Sequence, residues 1–152
     1  MFFNLMVEIV RLMPTQSAEL RSLNSFFAVT FPDPELLTLS EPQREEDERW
    51  LASDGNIALV AQHGSEIVGG LVAYRLDKIE GRREIYIYDL AVAEEFRRRG
   101  IAARLIEEVR AIARAFGAWV VFVQADYADP PAVALYAKLG TREEVLHFDM
   151  VP

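Results

Sequence analysis

Hydrophobic residues recur along this sequence at two spacings, one suited to strands and one to helices. Val7 to Leu12 alternates weakly and predicts a first strand. Ser17 is placed to cap a helix running to about Ala28, with Leu20, Leu23, Phe26 and Phe27 on its buried side. Phe31-Pro32-Asp33-Pro34 ends that helix, because a proline disfavours helical geometry in the residue before it. Glu35 to Gln43 is loosely patterned, and Arg44 to Ser53 is charged and helical around Trp50 and Leu51. This stretch suits a lid over a pocket as well as it suits a surface connection. Asp54-Gly55-Asn56 is a turn. Ile57 to Gln62 and Ile67 to Tyr74 then predict an antiparallel hairpin joined by His63-Gly64-Ser65-Glu66. Gly69-Gly70 inside its second strand points to a bulge or a close backbone approach.

Asp77 to Arg83 is a polar connection into the most informative stretch, Glu84 to Phe116. Its β-branched and aromatic residues from Ile85 to Val92 favour a half-buried strand. Arg97, Arg98 and Arg99 lead into Gly100, where a backbone can approach a ligand closely. Beyond it Ile101, Leu105, Ile106, Val109, Ile112, Ala113 and Phe116 form a helical stripe. The unpaired N–H groups of that helix's first turn, at its positive dipole end, make an anion site. A strand, a glycine turn and a helix start in this order suggest a phosphate-bearing ligand. Gly117 sits where a helix C-cap belongs, and Trp119 to Val123 is a continuous apolar run, as expected of a central strand. In the loop Ala125 to Pro131, Asp129 followed by two prolines is a strong helix start. The helix runs from Ala132 to Leu139 and stops at Gly140, and Glu144 to Met150 predicts a last strand. The order β-α-α-β-β-β-α-β-α-β describes one mixed α/β domain spanning 1–152, with a largely antiparallel sheet.

Composition narrows the function. At 152 residues, the sequence is long enough for one real core. No apolar run approaches the roughly 20 residues needed to cross a bilayer. Met1 to Val10 is short, holds Glu8 and lacks a basic start, so it reads as a lead into the first strand rather than a signal peptide. The expected location is cytoplasmic, with no membrane partner. Cysteine is absent and only His63 and His147 are present, which argues against a metal site and excludes a cysteine nucleophile. A formal charge of −8 makes nucleic acid a poor partner and favours cationic small molecules or segments. The arginine triplet is a local exception.

Arg97-Arg98-Arg99-Gly100-Ile101-Ala102 resembles the Arg/Gln-x-x-Gly-x-Gly/Ala signature of the GNAT superfamily of N-acetyltransferases, which bind acetyl-coenzyme A. Ala134 to Gly140 resembles that superfamily's other coenzyme-contacting helix. Glu84 to Val92, Gln124 to Tyr127 and Arg142 to Asp149 are similar to the type-I aminoglycoside 3-N-acetyltransferases, the gentamicin-resistance enzymes. The likeness is close from Glu84 to Met150 and loose before Asn56. It implies an α/β (α+β) fold of one GNAT-type domain, with a mixed, mostly antiparallel twisted sheet, a splayed central strand and about four flanking helices. It also implies a homodimer and an aminoglycoside substrate.

By this resemblance the backbone N–H groups from Arg98 through Gly100, Ile101 and Ala102 to Ala103 cradle the coenzyme pyrophosphate, with Arg97 and its neighbours adding charge. An arginine run taken alone is more often a solvated face; its place at a glycine turn favours the cradle. Leu90, Ala91 and Val92 would pair through their main chain with pantetheine, while their side chains serve the core. An amine whose pKa lies about two units above the medium costs roughly 2.7 kcal/mol to deprotonate, so a base is needed. Asp89 is the first choice, an acid on an otherwise apolar strand, against the alternative of an aspartate paired with an arginine. Glu84 is the second. Tyr136 stands at the family's usual tyrosine position and would give a proton to the departing thiolate, although an ordinary helix tyrosine packs in the core. Without cysteine, direct attack in a ternary complex is more natural than an acyl-enzyme. Asp126, Glu143 and Asp149 are the acids chosen to face a polycation, with Glu84 also in reach, and Tyr88 and Tyr127 offer flat walls to sugar rings. The expected activity is transfer of acetyl to an aminoglycoside amine, by resemblance the 3-amino group. The alternatives are the same chemistry on another amine, and a non-catalytic acyl-coenzyme A binding module.

Overall fold

The computed structural model describes residues 6–33 and 44–152. Its contacts divide the chain into Met1–Phe122 and Val123–Pro152. In the first unit, β1 (Val7–Arg11) is followed by two helices, α1 (Ser17–Thr30) and α2 (Arg44–Ala52). The hairpin of β2 (Asn56–His63) and β3 (Glu66–Asp77) leads to β4 (Arg83–Val92). A short 3-10 turn, Glu94–Phe96, then precedes α3 (Ile101–Phe116), and β5 (Val120–Val123) ends one residue past the first unit. The strands lie in the order β1-β2-β3-β4-β5, and the pairs from β1 to β4 are antiparallel. The crossover through α3 returns β5 to β4 start to start: Trp119 N donates to Arg83 O at 2.9 Å, and the Phe122 ring stacks on Tyr86 with centroids 4.8 Å apart.

The two faces of the sheet bury different helices. Ala58, Val60 and Val72 point to the side where Leu23 of α1 and Leu51 of α2 close a core, with Leu20, Phe26, Phe27, Trp50 and Tyr74 around it. Ile57, Leu59 and Ala61 alternate to the other side, fully or almost fully buried. There α3 lays down Ile101, Leu105, Ile106, Val109, Ile112 and Ala113. The buried Asp47 of α2 receives the Arg21 guanidinium of α1 in a two-pronged ion pair that fixes the helices together.

Two bulges interrupt the antiparallel pairing. Ala61 opposes Gly69 and Gln62 opposes Ile67, so Val68 is the extra residue. The Gly69-Gly70 pair is thus beside a bulge and also a close approach. A Cβ on Gly70 would run into the Leu23 side chain, and one on Gly69 would stand 3.1 Å from Ala91 O. Gly70→Ala is therefore expected to cost about 1–3 kcal/mol by forcing Leu23 out of its seat, read as a lower denaturation midpoint at unchanged slope. The second bulge is in β4: Val72 opposes Asp89 and Ala73 opposes Ile87, which leaves Tyr88 without an opposite number.

Several expectations shift. Ser17 is the first residue of α1 rather than its cap; Gln16 takes the cap position and its side chain accepts from Met13 N at 2.8 Å. β5 is the last strand in the sheet order instead of a central one, and its side chains are only partly covered. The expected strand over Glu144 to Met150 has no regular strand pairing, and Leu146, Phe148 and Met150 are exposed. The loosely patterned Glu35 to Gln43 and the lead from Met1 lie outside the described residues. Among the described residues no helix is long and apolar enough to cross a membrane.

In the second unit α4 (Pro130–Leu139) is capped as expected, with Asp129 accepting from Ala132 N at 3.2 Å and prolines in the first turn. Gly140 ends it, donating its N–H to Tyr136 O at 2.9 Å.

Candidate active site

β4 carries the candidate chemistry because of its bulge. Directly opposed residues of an antiparallel pair share a face. Asp89 is opposite Val72 and Tyr86 is opposite Tyr74, so both point to the side of α1 and α2. The extra residue places Tyr88 on that side as well. Its ring stands edge-on to Tyr74 at 6.0 Å and to Tyr86 at 5.5 Å, and Tyr74 is in turn edge-on to Trp50 at 6.2 Å. Asp89 thus sits among tyrosines, half-buried, with no basic residue paired to it among the described residues. Burial raises its carboxyl above the ordinary carboxylate range. Burial, then the Asp89 charge, then Tyr88 raise the Tyr74 phenol. The alternative of an arginine-paired aspartate is not what the described residues form. Glu84 stands at the other end of β4, opposite Leu76 and 3.6 Å from Lys78 Nζ. Five residues of strand put it about 16 Å from Asp89.

Immediately after β4 the chain forms a turn built from its own arginines. Arg97 Nε donates to Val92 O at 3.0 Å, and Arg99 donates to Glu95 O at 2.9 Å while its guanidinium lies over Phe96. Arg98 has φ +60°, a left-handed conformation that costs a non-glycine residue about 1–3 kcal/mol and marks functional turns. Gly100 follows with φ +75° as the N-cap of α3. Among the described residues no side chain caps that helix, and no acid stands in its first turn. The N–H groups of Ile101, Ala102 and Ala103 are thus left for another acceptor, and a Cβ built on Gly100 meets nothing within 4 Å. The geometry is that of an open anion cradle. The main chain of Leu90, Ala91 and Val92 leads straight into it, with Ala91 and Val92 side chains buried, so the core role holds for those two.

The second unit holds the remaining candidates. Tyr136 is partly buried on α4, and burial, followed by the Asp129 charge, raises its phenol above the ordinary value. Asp126 is committed to a turn: its carboxylate accepts from Ala128 N at 2.8 Å and its carbonyl from Asp129 N at 3.0 Å. Tyr127 donates its hydroxyl to Glu144 at 3.0 Å, accepts from Arg142 at 2.8 Å and carries that guanidinium over its ring. Asp149 pairs with His147 at 3.0 Å, and Glu143 is exposed. Tyr127 and Asp126 are therefore tied into local structure, while Glu143 and Asp149 are solvent-facing acids. Sequence reading missed Tyr74, Tyr86 and Trp50. Tyr86 and Tyr88 at a two-residue spacing on one strand were a usable signal; Tyr74 needed the strand register.

Comparison with known proteins gives this geometry its context. A solved aminoglycoside acetyltransferase from an uncultured soil metagenomic sample superposes with a TM-score of 0.91 at 50% identity, over 97% of this chain and 99% of that one. A second aminoglycoside acetyltransferase from such a sample, solved in complex with sisomicin, superposes at 0.86 with 30% identity, covering 96% of both chains. N-acetyltransferase 8B of Rattus norvegicus is 29% identical over 100 residues, which are 65% of this chain but only 45% of that relative's length. The family model described as acetyltransferase (GNAT) family matches residues 20–141, from within α1 to just past α4. The strand, the arginine turn, the open helix start and the second helix all fall inside that span, and the chain belongs to the GNAT family of acetyltransferases.

Proposed function

We propose that this enzyme transfers acetyl from acetyl-coenzyme A to an amine of an aminoglycoside, the 3-amino group of the deoxystreptamine ring, and thereby confers resistance to antibiotics such as gentamicin. The observation that carries the reading is Asp89: a half-buried carboxylate without a cationic partner among the described residues, on the strand that leads through a short turn to an open anion cradle. The two aminoglycoside acetyltransferases of the soil samples support the substrate class.

The cradle from Arg98 to Ala103 would hold the pyrophosphate through main-chain N–H groups and the α3 dipole, and Arg97 to Arg99 would add charge. Backbone groups of Leu90 to Val92 would pair with the pantetheine arm. The acceptor nitrogen then attacks the thioester carbonyl; the new C–N bond forms and the C–S bond breaks in one ternary complex. Asp89 takes the proton that the amine loses, directly or through water. Tyr136 gives its hydroxyl proton to the departing thiolate, which keeps coenzyme A from reversing the attack. The negative surface, with Glu143 and Asp149 among its exposed acids, draws a polycation toward the site. Glu84 at the far end of β4 is the remaining acid that such a substrate would meet on this strand.

The test is release of free thiol from acetyl-coenzyme A with gentamicin or sisomicin added. Turnover that requires the antibiotic, with the acetyl group mapped to the 3-amino position, is the expected result. Thiol release with neither antibiotic would remove this substrate. Tyr136→Phe is expected to lower kcat by at least about tenfold, within the range of general-acid contributions, with little change in KM for the amine. A rise in KM alone would reassign Tyr136 to packing.

A further inference from the structure

The bulge that leaves Tyr88 unpaired does more than place Asp89. In an unbroken ladder Tyr88 and Asp89 would face opposite sides of the sheet. The extra residue puts an exposed ring, 64% accessible, on the same side as the half-buried carboxylate. Tyr88 is held there from two directions, by Tyr74 on β3 and Tyr86 on β4, both edge-on. Behind them Trp50 of α2 supports Tyr74, and Phe122 of β5 is stacked on Tyr86 at an interplanar angle of 6°. Three strands and one helix thus contribute to an aromatic cluster whose outermost member, Tyr88, stays mostly accessible.

The edge-on contacts fix the Tyr88 ring in one orientation while leaving most of it accessible. An aromatic face beside a carboxylate is the chemistry that recognises an organic ammonium carried on a ring. The π-face attracts the charge, and the ring's axial C–H groups lie flat against it. We propose that Tyr74, Tyr86 and Tyr88 form an aromatic corner that seats the amine-bearing ring of the acceptor against Asp89, with Tyr74 as a specificity-determining residue acting through Tyr88. This inference rests on the proposed function and deepens it. The corner holds the protonated form of the amine while Asp89 is its counter-ion, and transfer of the proton then releases the nitrogen for attack.

Steady-state kinetics with sisomicin as probe acceptor tests the assignment. Tyr88→Leu is expected to raise KM for sisomicin about tenfold with kcat within twofold, because a cation–π contact of ordinary strength is lost. Tyr88→Phe keeps the ring and is expected to stay within twofold of the wild type. Tyr74→Leu should raise KM similarly, and the double Leu variant should be no worse than either single one, since the two act as one unit. Tyr74→Phe should restore it. KM for acetyl-coenzyme A should stay constant throughout, which loss of fold would not allow. Leu variants with unchanged KM, or Phe variants as impaired as Leu, would overturn the aromatic corner while sisomicin turnover by the wild type keeps the proposed function standing. A wild type that acetylates neither sisomicin nor gentamicin removes both; one that acetylates gentamicin alone moves the same kinetic series to gentamicin.

Discussion

Asp89→Asn is expected to lower kcat by about a hundredfold or more while acetyl-coenzyme A binds as before. The amide has the carboxylate's shape but cannot accept a proton, so only the deprotonation step suffers. The half-burial that would make Asp89 an effective base also makes it a cost to the fold. Its folded carboxyl is raised above the unfolded value, so the folded state binds more protons than the unfolded state between the two. Stability therefore falls as pH rises through that window, and Asn, which carries no charge, escapes the loss. The variant should accordingly melt at a higher temperature than the wild type at pH 7, and the gain should disappear below about pH 4, where Asp89 is protonated in both states. For the wild type, the same elevation places the acid limb of the kcat profile above the ordinary carboxylate range, and Asn should abolish that limb. Wild-type turnover in Asp89→Asn, or a melting temperature lowered at neutral pH, would sink the assignment. The first result would move the base elsewhere, and the second would mean that the carboxylate has a partner in the fold.

Most of the element order was legible because each element satisfies a local rule without help. α3 has a stripe of apolar residues bounded by two glycines, and both glycines are left-handed in the structure, at φ +75° and +67°. Asp129 and its prolines announce α4, and the hairpin of β2 and β3 has its polar turn where its two apolar runs stop. The failures have the opposite character. The segment from Glu144 alternates like a strand, but alternation records only that one face prefers burial, not that a partner strand is present. β5 reads as central because Val120 to Val123 is apolar on both faces, yet its pairing is to β4 at the edge of the order.

The site divides along the same line. The arginine turn and Gly100 are contiguous, so the motif is readable from a few letters. The aromatic corner is assembled from β3 and β4 through a bulge, and no spacing in the sequence says that Tyr88 is the residue left over. Asp89 stands out in the sequence on two grounds: a charge on an apolar strand needs a purpose, and the family resemblance puts a base at this end of the strand. The acids near the C-terminus were chosen for their density alone, and the structure separates them by what they bond to. Asp126 forms a turn, whereas Glu143 faces solvent and Asp149 pairs with His147 in the open.

The other large effect is expected at Gly100. Gly100→Asp should weaken acetyl-coenzyme A by at least about a hundredfold in calorimetry, because a carboxylate set about 4 Å from a pyrophosphate opposes it by roughly 4 kcal/mol at an effective dielectric of 20. The substitution is a fair test because the fold should survive it. Space is open where the Cβ would go, Asp is among the residues that tolerate a left-handed φ, and a negative charge at the start of α3 is favoured by the helix dipole. The favourable placement of that carboxylate is also what makes it an effective competitor: it occupies the same N–H groups that the pyrophosphate would use. Gly100→Ala carries the backbone strain at φ +75° without the charge, so its smaller loss of affinity measures the geometric part alone. If Asp binds the coenzyme as well as Ala does, charge at the helix start plays no part; if both bind as the wild type does, the cradle is not where the coenzyme sits.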